Sequence, residues 1–342
     1  MKKLFKWEFW PSWLFYLPVY ALYLWYSLRA RTIMFFSASN PGMFMGGFVD
    51  YSKYDILKKI PQSVVPKTFL IEENNQQLQT VTAHLENNEI DFPFILKPDR
   101  GERGFAVEKI DNREALENYL IKFRTRLVMQ EFAAQKLEFG VLYYRIPDEE
   151  RGNISSVVQK VLPHVIGDGV SNLDSLLKTT ERTSYYYKEL SKAYADRLNE
   201  VPGKGKELVL SEIGNHCRGA TFYNCNHLIN ERLIDTFDKL SKQIEGFYFG
   251  RYDIKADSEE DLYNGTFKIV ELNGANSEPA HIYDPKMPLF KAYGFMFRHW
   301  KTIFRISIKN HKRGVPYMSM KEGITTTRNY FKRKKQEVKT LA

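Results

Sequence analysis

Two short segments constrain this chain more than any other feature, because both alternate apolar residues with charged or amide residues. They are Arg251-Tyr252-Asp253-Ile254-Lys255 and Ile269-Val270-Glu271-Leu272-Asn273. Successive side chains of a β-strand point to opposite faces, so a period of two predicts strands with one polar and one apolar face. We therefore predict paired strands that present Asp253, Glu271 and Asn273 on a common face.

Two carboxylates and one amide on a common face predict a metal site. Oxygen ligands of this kind suit Mg²⁺ that bridges phosphate groups, and Asp253, Glu271 and Asn273 are the predicted ligands. Strands rich in Tyr, Ile, Leu and Val seldom turn such groups inward, which favours the metal site. The alternative is a row of polar residues facing solvent.

The chain of 342 residues is long enough for two or three modest domains. Between residues 61 and 280, short apolar runs alternate with helical patterns, which predicts an α+β domain. We place this domain at residues 51–285, between a hydrophobic segment at 1–50 and a basic, aromatic helical tail at 286–342. The two cysteines, Cys217 and Cys225, provide no disulfide framework, which favours a reducing, cytoplasmic setting.

A lysine at the end of another predicted strand suggests phosphate binding. Lys97-Pro98 precedes a loop at 99–104, in which Gly101 and Gly104 allow backbone N–H groups to approach an anion. An ordinary hairpin is the alternative interpretation of these residues.

A third segment, Glu131-Phe132-Ala133-Ala134, also follows a predicted strand, and Glu138 lies seven residues beyond Glu131. Backbone groups at an exposed strand end suit the edge of an adenine ring, and a nearby carboxylate suits ribose hydroxyls. A plain surface strand end is the alternative.

Taken in this order, these motifs resemble the ATP-grasp superfamily, and among its members the D-alanine–D-alanine ligases and related amino-acid ligases. The resemblance covers roughly residues 53–284. It implies an ATP-grasp fold, in which two α/β subdomains clamp ATP, with the nucleotide hinge near 131–138. It also implies a carboxylate–amine ligase that uses ATP and Mg²⁺ (or Mn²⁺) and forms a C–N bond through an acylphosphate.

The resemblance implies roles for individual residues at the nucleotide. Lys97 would contact the α- and β-phosphates, and Lys53 would be a second phosphate-binding lysine, with Lys58 or Lys59 as alternatives. Glu131 would accept from the adenine amino group. The full set implied for the nucleotide is Lys53, Lys97, Gly101, Gly104, Glu131, Phe132, Ala134 and Glu138, the last of these on the ribose.

Three residues are implied for catalysis. Arg251 would stabilise the tetrahedral intermediate, while Asn215 and Arg218 belong to a glycine-bounded loop near the γ-phosphate. Two histidines, His216 and His281, lie near this region, and for each we expect a packing role.

The substrate end of the chain departs from the family. The Rossmann-like N-terminal domain that helps bind the first substrate is replaced by about fifty membrane-like residues. The serine-rich loop is replaced by residues 100–104, and the T-x-P-G stretch after the metal strand by residues 274–279. A D-alanine dipeptide is therefore not the expected product, and the carboxylate and amine substrates stay unidentified.

The N-terminal segment carries no charged residue from Phe9 to Leu28, a length that just suffices for one transmembrane helix. Pro11 and Pro18 interrupt it, and Trp and Tyr, which favour the headgroup region, are spread along it. We weigh three interpretations, in this order: a monotopic or re-entrant anchor, a single span, and a buried soluble helix. A second apolar stretch follows at 32–49.

The net charge of +9 is concentrated at the C-terminus, because residues 281–342 carry 15 Lys and Arg but 3 Asp and Glu. This asymmetry predicts one local anionic contact and no nucleic-acid partner. Phe297, Trp300 and Phe304 have helical spacing, which suits a helix packed on the domain or lying on anionic lipid. The basic cluster at 331–335 predicts a lipid-headgroup contact.

The sequence thus predicts a ligase at the cytoplasmic face of the cell membrane, monotopic or single-span, that acts on a lipid-linked or cell-envelope precursor. One alternative is a D-alanine–D-alanine-type peptide ligase with soluble substrates that docks at the membrane. Another is a non-catalytic nucleotide-binding membrane scaffold.

Overall fold

The computed structural model describes residues 6–102, 104–211, 214 and 219–340, with the backbone alone for 337–340. The strands in these ranges are β1 Thr68–Ile71, β2 Phe94–Pro98, β3 Glu108–Ile110, β4 Leu127–Glu131, β5 Leu137–Tyr144, β6 Asn153–Val161, β7 His164–Ile166, β8 Glu207–Val209, β9 Thr221–Asn224, β10 Phe249–Ala256 and β11 Lys268–Asn273. The helices are α1 Ser12–Ala30, α2 Lys53–Leu57, α3 Leu78–Asn87, α4 Arg113–Lys122, α5 Leu173–Thr179, α6 Glu181–Tyr185, α7 Tyr187–Ala193, α8 Glu231–Lys242, α9 Glu260–Asn264, α10 Leu289–Lys312 and α11 Met320–Thr340.

Two antiparallel sheets form the framework. A four-stranded sheet has the order β1-β4-β2-β3, and a five-stranded sheet has the order β11-β10-β5-β6-β9, while β7 and β8 make a separate pair. The predicted pairing of the two alternating segments is confirmed, because β10 lies antiparallel to β11. Helices combined with antiparallel sheets make this an α+β protein, as the sequence predicted.

The apolar face of the five-stranded sheet forms the largest core of the molecule. Tyr252 and Ile254 of β10, together with Phe139 and Val141 of β5, are fully buried there. Phe237 of α8 packs on this face, with its ring centroid 5.4 Å from that of Tyr252. Because side chains alternate along each strand, the residues between these positions must face the opposite side.

Residues 33–49 are packed into the molecule, although the sequence grouped them with the membrane-associating segment at 1–50. Asn40 is fully buried, and its amide nitrogen donates to the carbonyl oxygen of Phe249 at 2.8 Å. Its side-chain oxygen accepts from the backbone N–H groups of Tyr248 and Phe249, both at 2.9 Å. Gly47 lies so close to Gly274 that a Cβ on Gly47 would stand 2.6 Å from the Gly274 Cα. The stretch is apolar because it covers the end of the five-stranded sheet.

Helix α1 packs along α10. Aromatic pairs join the two helices: the ring centroids of Phe15 and Tyr293 are 5.2 Å apart, and those of Tyr26 and Phe304 are 4.4 Å apart. Pro18 lies within α1, whose other face is exposed. Among the residues that the structure describes, no helix has both the length and the apolar character needed to cross a bilayer.

Helix α11 lies against the glycine loop at 99–104. Arg333 of this helix pairs with Asp50, and the Lys334 Nζ is 3.9 Å from a Glu102 carboxylate oxygen. Part of the basic cluster that the sequence assigned to lipid headgroups therefore faces acidic residues of the same molecule. Lys332 and Lys335 are exposed.

Candidate functional site

The polar face of the five-stranded sheet carries a group of ionisable and amide side chains. The strand register places these side chains opposite one another on neighbouring strands. Lys255 pairs with Glu138 and Glu138 with Lys160, while Asp253 pairs with Glu271. Side chains from other segments complete the group. We call it the polar cluster, and its members are Lys53, Lys97, Glu138, Lys160, Arg251, Asp253, Lys255, Glu271 and Asn273.

Asp253 lies at the centre of the polar cluster and is 5% exposed. Its Oδ1 accepts from Arg251 Nε at 2.9 Å and lies 3.1 Å from Lys160 Nζ, and its Oδ2 accepts from the Asn273 amide at 3.3 Å. Burial raises the pKa of this carboxyl, but Arg251 and Lys160 lower it more, to about 2. Gly140 pairs with Asp253, and a Cβ on it would stand 3.2 Å from the Arg251 side chain. The absent side chain therefore leaves room for the arginine.

Lys97 connects the four-stranded sheet to the five-stranded sheet. Its Nζ donates to the carbonyl oxygen of Val270 at 3.0 Å and to the Gln130 side chain at 2.9 Å. Burial lowers the pKa of Lys97 to about 8. Beside it, Glu271 forms an ion pair with Lys53 at 2.5 Å. Burial raises the pKa of Glu271, but Lys53 and Lys97 bring it below its usual value, so the carboxylate stays ionised.

Lys53 is held in place by a capped turn of helix. The hydroxyl of Ser52 caps α2 by accepting from Asp55 N at 3.0 Å, and it donates to Asp99 at 2.9 Å. The Lys53 backbone N–H donates to the Asp99 carbonyl oxygen at 3.0 Å. Of the three lysines left open by the sequence, Lys53 is the one in the polar cluster. Lys58 is exposed, and Lys59 donates to the carbonyl oxygen of Gly42.

Glu138 lies between two lysines, with Lys160 Nζ at 2.9 Å and Lys255 Nζ at 3.2 Å from its carboxylate. A Cβ on Gly214 would stand 2.6 Å from both carboxylate oxygens, so the backbone of Gly214 lies directly over Glu138. The carboxylate that the resemblance assigned to ribose is thus paired with two cations.

Sequence reasoning gave no role to Lys160, Lys255 or Tyr51. Lys255 continues the period of two from Asp253, and that pattern was sufficient to place it on the polar face. Lys160 follows a run of valines in β6, which was the available sequence signal, and the structure buries it. Tyr51, whose hydroxyl donates to the Asn273 side-chain oxygen at 2.8 Å, had no local signal at all.

The remaining predicted residues lie elsewhere or are not described. Glu131 is exposed, and its carboxylate accepts from the backbone N–H of Lys67 at 3.1 Å. Phe132 lies under Lys109, whose Nζ is 5.1 Å from the ring centroid, and Ala134 is exposed. Asn215 and Arg218 fall outside the described residues, as does His216. Gly104 has a φ of +68°, which favours glycine, and Gly101 lines a small pocket against α11.

His281 packs beside the polar face of the sheet. Its Nδ1 lies 2.7 Å from the Ser156 hydroxyl, and its ring meets Phe295 edge-on with centroids 4.3 Å apart. Burial lowers the pKa of His281 to about 4, so the ring is neutral at physiological pH.

The donor set around Asp253 fits a hard cation. In the described part of the chain, no three residues among His, Cys, Asp and Glu group into a metal site. The set here is instead two carboxylates and an amide oxygen, on Asp253, Glu271 and Asn273. Both carboxyl groups have lowered pKa values and stay ionised, and Mg²⁺ or Mn²⁺ prefers such oxygens.

Glu278 lies five residues after Asn273 and is an acidic group in a poorly solvated place. Tyr283 donates its hydroxyl to the Glu278 carboxylate at 2.6 Å. Burial raises the pKa of Glu278 to about 7. The protonated form therefore contributes stability below the unfolded-state pKa, and that contribution is lost as pH rises through about 7.

We expect the Glu278→Gln variant to lose less stability than the wild type between pH 5 and pH 8, because glutamine still accepts from Tyr283 but does not ionise. The expected difference is about 1–2 kcal/mol, after a reduction for the partial exposure of the group. Melting temperatures measured across this pH range test it. Parallel curves for the two proteins would contradict the assignment.

Several solved structures are similar to this chain. The D-Ala:D-Ser ligase VanG from Enterococcus faecalis shares 12% identity at a TM-score of 0.43, over 75% of this chain and 61% of that one. The D-alanine–D-alanine ligase from Bacillus anthracis shares 12% identity at a TM-score of 0.43, over 77% and 68%. The bifunctional glutathione synthetase from Pasteurella multocida shares 14% identity at a TM-score of 0.38, over 72% and 36%.

These are the kinds of ligase that the sequence motifs resemble. The chain spans 61% and 36% of the length of VanG and of the glutathione synthetase. No protein-family model matches the chain, and no curated protein matches its sequence. All three TM-scores lie below 0.5. We therefore infer the chemistry of the site from the contacts of this chain's own residues.

Proposed function

We propose that this chain is an ATP-grasp enzyme that joins a carboxylate to an amine at the expense of ATP. The observation that carries the proposal is the meeting of the two sheets around two ionised carboxylates. Lys97 of the four-stranded sheet donates to β11 of the five-stranded sheet, beside Glu271 and close to Asp253. Lysines and acidic oxygen ligands at such a junction suit a metal-bound triphosphate.

The charge balance of the polar cluster supports a polyanionic ligand. Its five cations are Lys53, Lys97, Lys160, Arg251 and Lys255, and its three carboxylates are Glu138, Asp253 and Glu271. The excess of two positive charges lies on a largely buried surface, where electrostatic interactions are stronger than in water. Positioning and cations are what phosphoryl transfer chiefly requires of a protein.

Each group has a proposed task in binding. Lys53 and Lys97 bind the phosphates, and Asp253, Glu271 and Asn273 would hold Mg²⁺ or Mn²⁺. When bound, the metal neutralises phosphate charge and polarises the transferring phosphoryl group. Arg251 is held by Asp253 at the side of the reacting groups, where it stabilises the negative charge that develops on the carbonyl oxygen.

The proposed chemistry has two steps. A substrate carboxylate oxygen forms a bond to the γ-phosphorus of ATP, the bond to the bridging oxygen breaks, and ADP leaves with an acylphosphate in place. An amine nitrogen then bonds to the acyl carbon, the C–O bond to phosphate breaks, and the nitrogen releases a proton. The products are an amide, ADP and inorganic phosphate.

We also propose that the reaction takes place at the cytoplasmic face of a membrane, on a lipid-linked or cell-envelope precursor. ATP is supplied on the cytoplasmic side, and helix α1, which has no charged residue before Arg29, supports with its neighbour α10 a position at the bilayer surface.

Phosphate release from MgATP in the presence of candidate carboxylates and amines tests the ligase. We expect at least one pair to stimulate release by the wild type, and we expect Asn273→Ala to lower the rate by about 10²-fold, since one oxygen ligand is lost. The matched control is Asn264→Ala, because Asn264 is exposed and contacts Arg232. Equal rates for Asn273→Ala and the wild type would refute the assignment.

A further inference from the structure

Helix α1 exposes an apolar stripe along its length. Trp13, Leu17, Tyr20, Leu24 and Leu28 are between 53% and 75% exposed. They recur every three or four residues, which puts them on one side of the helix. A contiguous exposed patch of this kind marks an interaction surface, because single exposed apolar residues are common on soluble proteins but long rows of them are not.

The opposite side of α1 is already occupied. Phe15 and Val19 are 4% and 2% exposed and pack in a cluster with Ala292 and Met296 of α10. Near the other end of α1, Tyr23 meets Trp300 edge-on with centroids 5.0 Å apart. The helix is thus fixed on the protein, and its exposed stripe is a separate surface that faces away from α10.

The charges near this surface indicate which kind of partner it binds. No Asp or Glu occurs between residues 9 and 49, nor anywhere in α10. Two exposed cations, Arg29 and Arg31, lie at the C-terminal end of the stripe, and Lys301 of α10 is exposed as well. An apolar stripe that ends in cations, on a helix without acidic residues, complements an anionic lipid surface.

The residue types along the stripe suit the boundary of a bilayer. Trp and Tyr have an apolar ring and a polar tip, which favours the level of the headgroups. Phe290, at the start of α10, is also 87% exposed. A helix of 19 residues is about 28 Å long, so it offers a long, narrow contact when it lies flat.

We propose that α1 lies in the plane of an anionic membrane, with Trp13, Leu17, Tyr20, Leu24 and Leu28 inserted at the acyl boundary and the cations at the end of the stripe on the headgroups. The surface itself depends on exposure and charge alone. Its consequence for the position of the polar cluster relative to the membrane rests on the proposed function.

That consequence concerns which end of the polar cluster faces the membrane. Along β10 the polar face runs from Lys255 through Asp253 and Arg251 to Phe249, about 7 Å beyond Arg251. Phe249 packs edge-on against His299 of α10, with ring centroids 5.1 Å apart. Helix α1 in turn packs on α10. The Arg251 end of the cluster is therefore the end nearer the bilayer, with the packed helices α10 and α1 between them.

Vesicle sedimentation with the full chain tests the surface. We compare phosphatidylcholine vesicles with vesicles that also contain phosphatidylglycerol. The wild type is expected to sediment with the anionic vesicles and to be released in part by salt, because salt screens the cations at the end of the stripe. The Leu17→Glu/Leu24→Glu variant is expected to bind at least about tenfold more weakly.

The control is Val170→Glu/Val201→Glu, which makes the same charge change at two valines that are 83% and 52% exposed. It is expected to bind like the wild type. Equal binding by the leucine variant and this control overturns the proposal. A wild-type dimer that the leucine variant converts to a monomer, without vesicle binding by either, overturns it too, because a second copy then covers the stripe.

The rise in melting temperature that MgATP causes tests the proposed ligase independently of the membrane surface. We expect the leucine variant to keep that rise, since α1 is remote from the polar cluster. If MgATP stabilises none of the proteins but vesicle binding follows the leucines, the membrane surface stands and the proposed function fails.

Discussion

Replacing Asp253 with asparagine is expected to lower the rate of ATP-dependent ligation by about 10³-fold or more. The carboxyl group has a pKa of about 2 and is therefore ionised at any physiological pH. The substitution removes one negative oxygen from the proposed metal set. It also leaves the nearly buried Lys160 with one carboxylate fewer and removes the ion pair that orients Arg251.

Loss of that ion pair also destabilises the fold, so the experiment needs readouts that separate the two effects. Breaking a buried ion pair costs about 3–5 kcal/mol, and the melting temperature of Asp253→Asn should fall accordingly. If Asp253 is purely structural, its substitution leaves the Mg²⁺ concentration needed for half-maximal rate unchanged. If Asp253 is a metal ligand, the substitution raises that concentration.

Asp235→Asn is the matched control, because Asp235 is exposed and pairs with Arg151 at 2.6 Å on the surface. It should keep the wild-type rate and the wild-type Mg²⁺ requirement. Wild-type kinetics in Asp253→Asn would exclude the proposed metal role.

Replacing Lys97 with methionine is expected to weaken ATP binding by about 10- to 100-fold, which corresponds to one strong charge-assisted contact with phosphate. The protein itself should lose little stability, because two hydrogen bonds of Lys97 are lost but the cost of burying its charge is removed as well. Burial lowers the pKa of Lys97 to about 8, so the charged form is disfavoured in the fold. Folded-state stability therefore rises with pH from about 8 to the ordinary lysine pKa, and methionine avoids the cost of the buried charge at pH 7.

The same pKa predicts a pH dependence of ATP affinity. Between pH 7 and pH 9 the free wild type should bind MgATP progressively more weakly, because Lys97 loses its proton with a midpoint near 8. Lys97→Met should lack this decline. Lys97→Arg should bind ATP with an affinity that does not fall over this pH range. Titration calorimetry across the range measures both.

Lys67→Met serves as the control, since Lys67 is 45% exposed and pairs with Glu89. It should leave ATP affinity and its pH dependence unchanged. If Lys97→Met binds ATP as tightly as this control, Lys97 has no phosphate role.

The segments that local pattern predicted best are the ones whose two faces differ most. The alternation in residues 251–255 and 269–273 predicted β10 and β11, and it put Asp253, Glu271 and Asn273 on a common face. A period of two is a property of the strand alone, so no knowledge of the partner is required. Similarly, the lysine before the glycine loop lies at the end of β2, as its flanking proline suggested.

The membrane-like segment was harder to interpret, because hydrophobicity has two causes that look alike in sequence. Residues 12–30 and 33–49 are both apolar. The first forms a helix with an exposed stripe, and the second is held inside by Asn40 through hydrogen bonds to residues more than 200 positions away. The basic tail shows the same limit, since Arg333 pairs with Asp50, 283 positions away.

Local sequence thus determined the strands, the identity of the acidic oxygens and the apolar character of the N-terminal helix, because each depends on neighbours within a few residues. The tertiary structure alone decided how cations from other segments meet those oxygens. Lys160 reaches Asp253 across β5, Lys53 reaches Glu271 from a capped turn, and Lys97 reaches β11 from the other sheet. Sheet order and the docking of separate segments set these contacts, and neither is encoded in any single stretch of the chain.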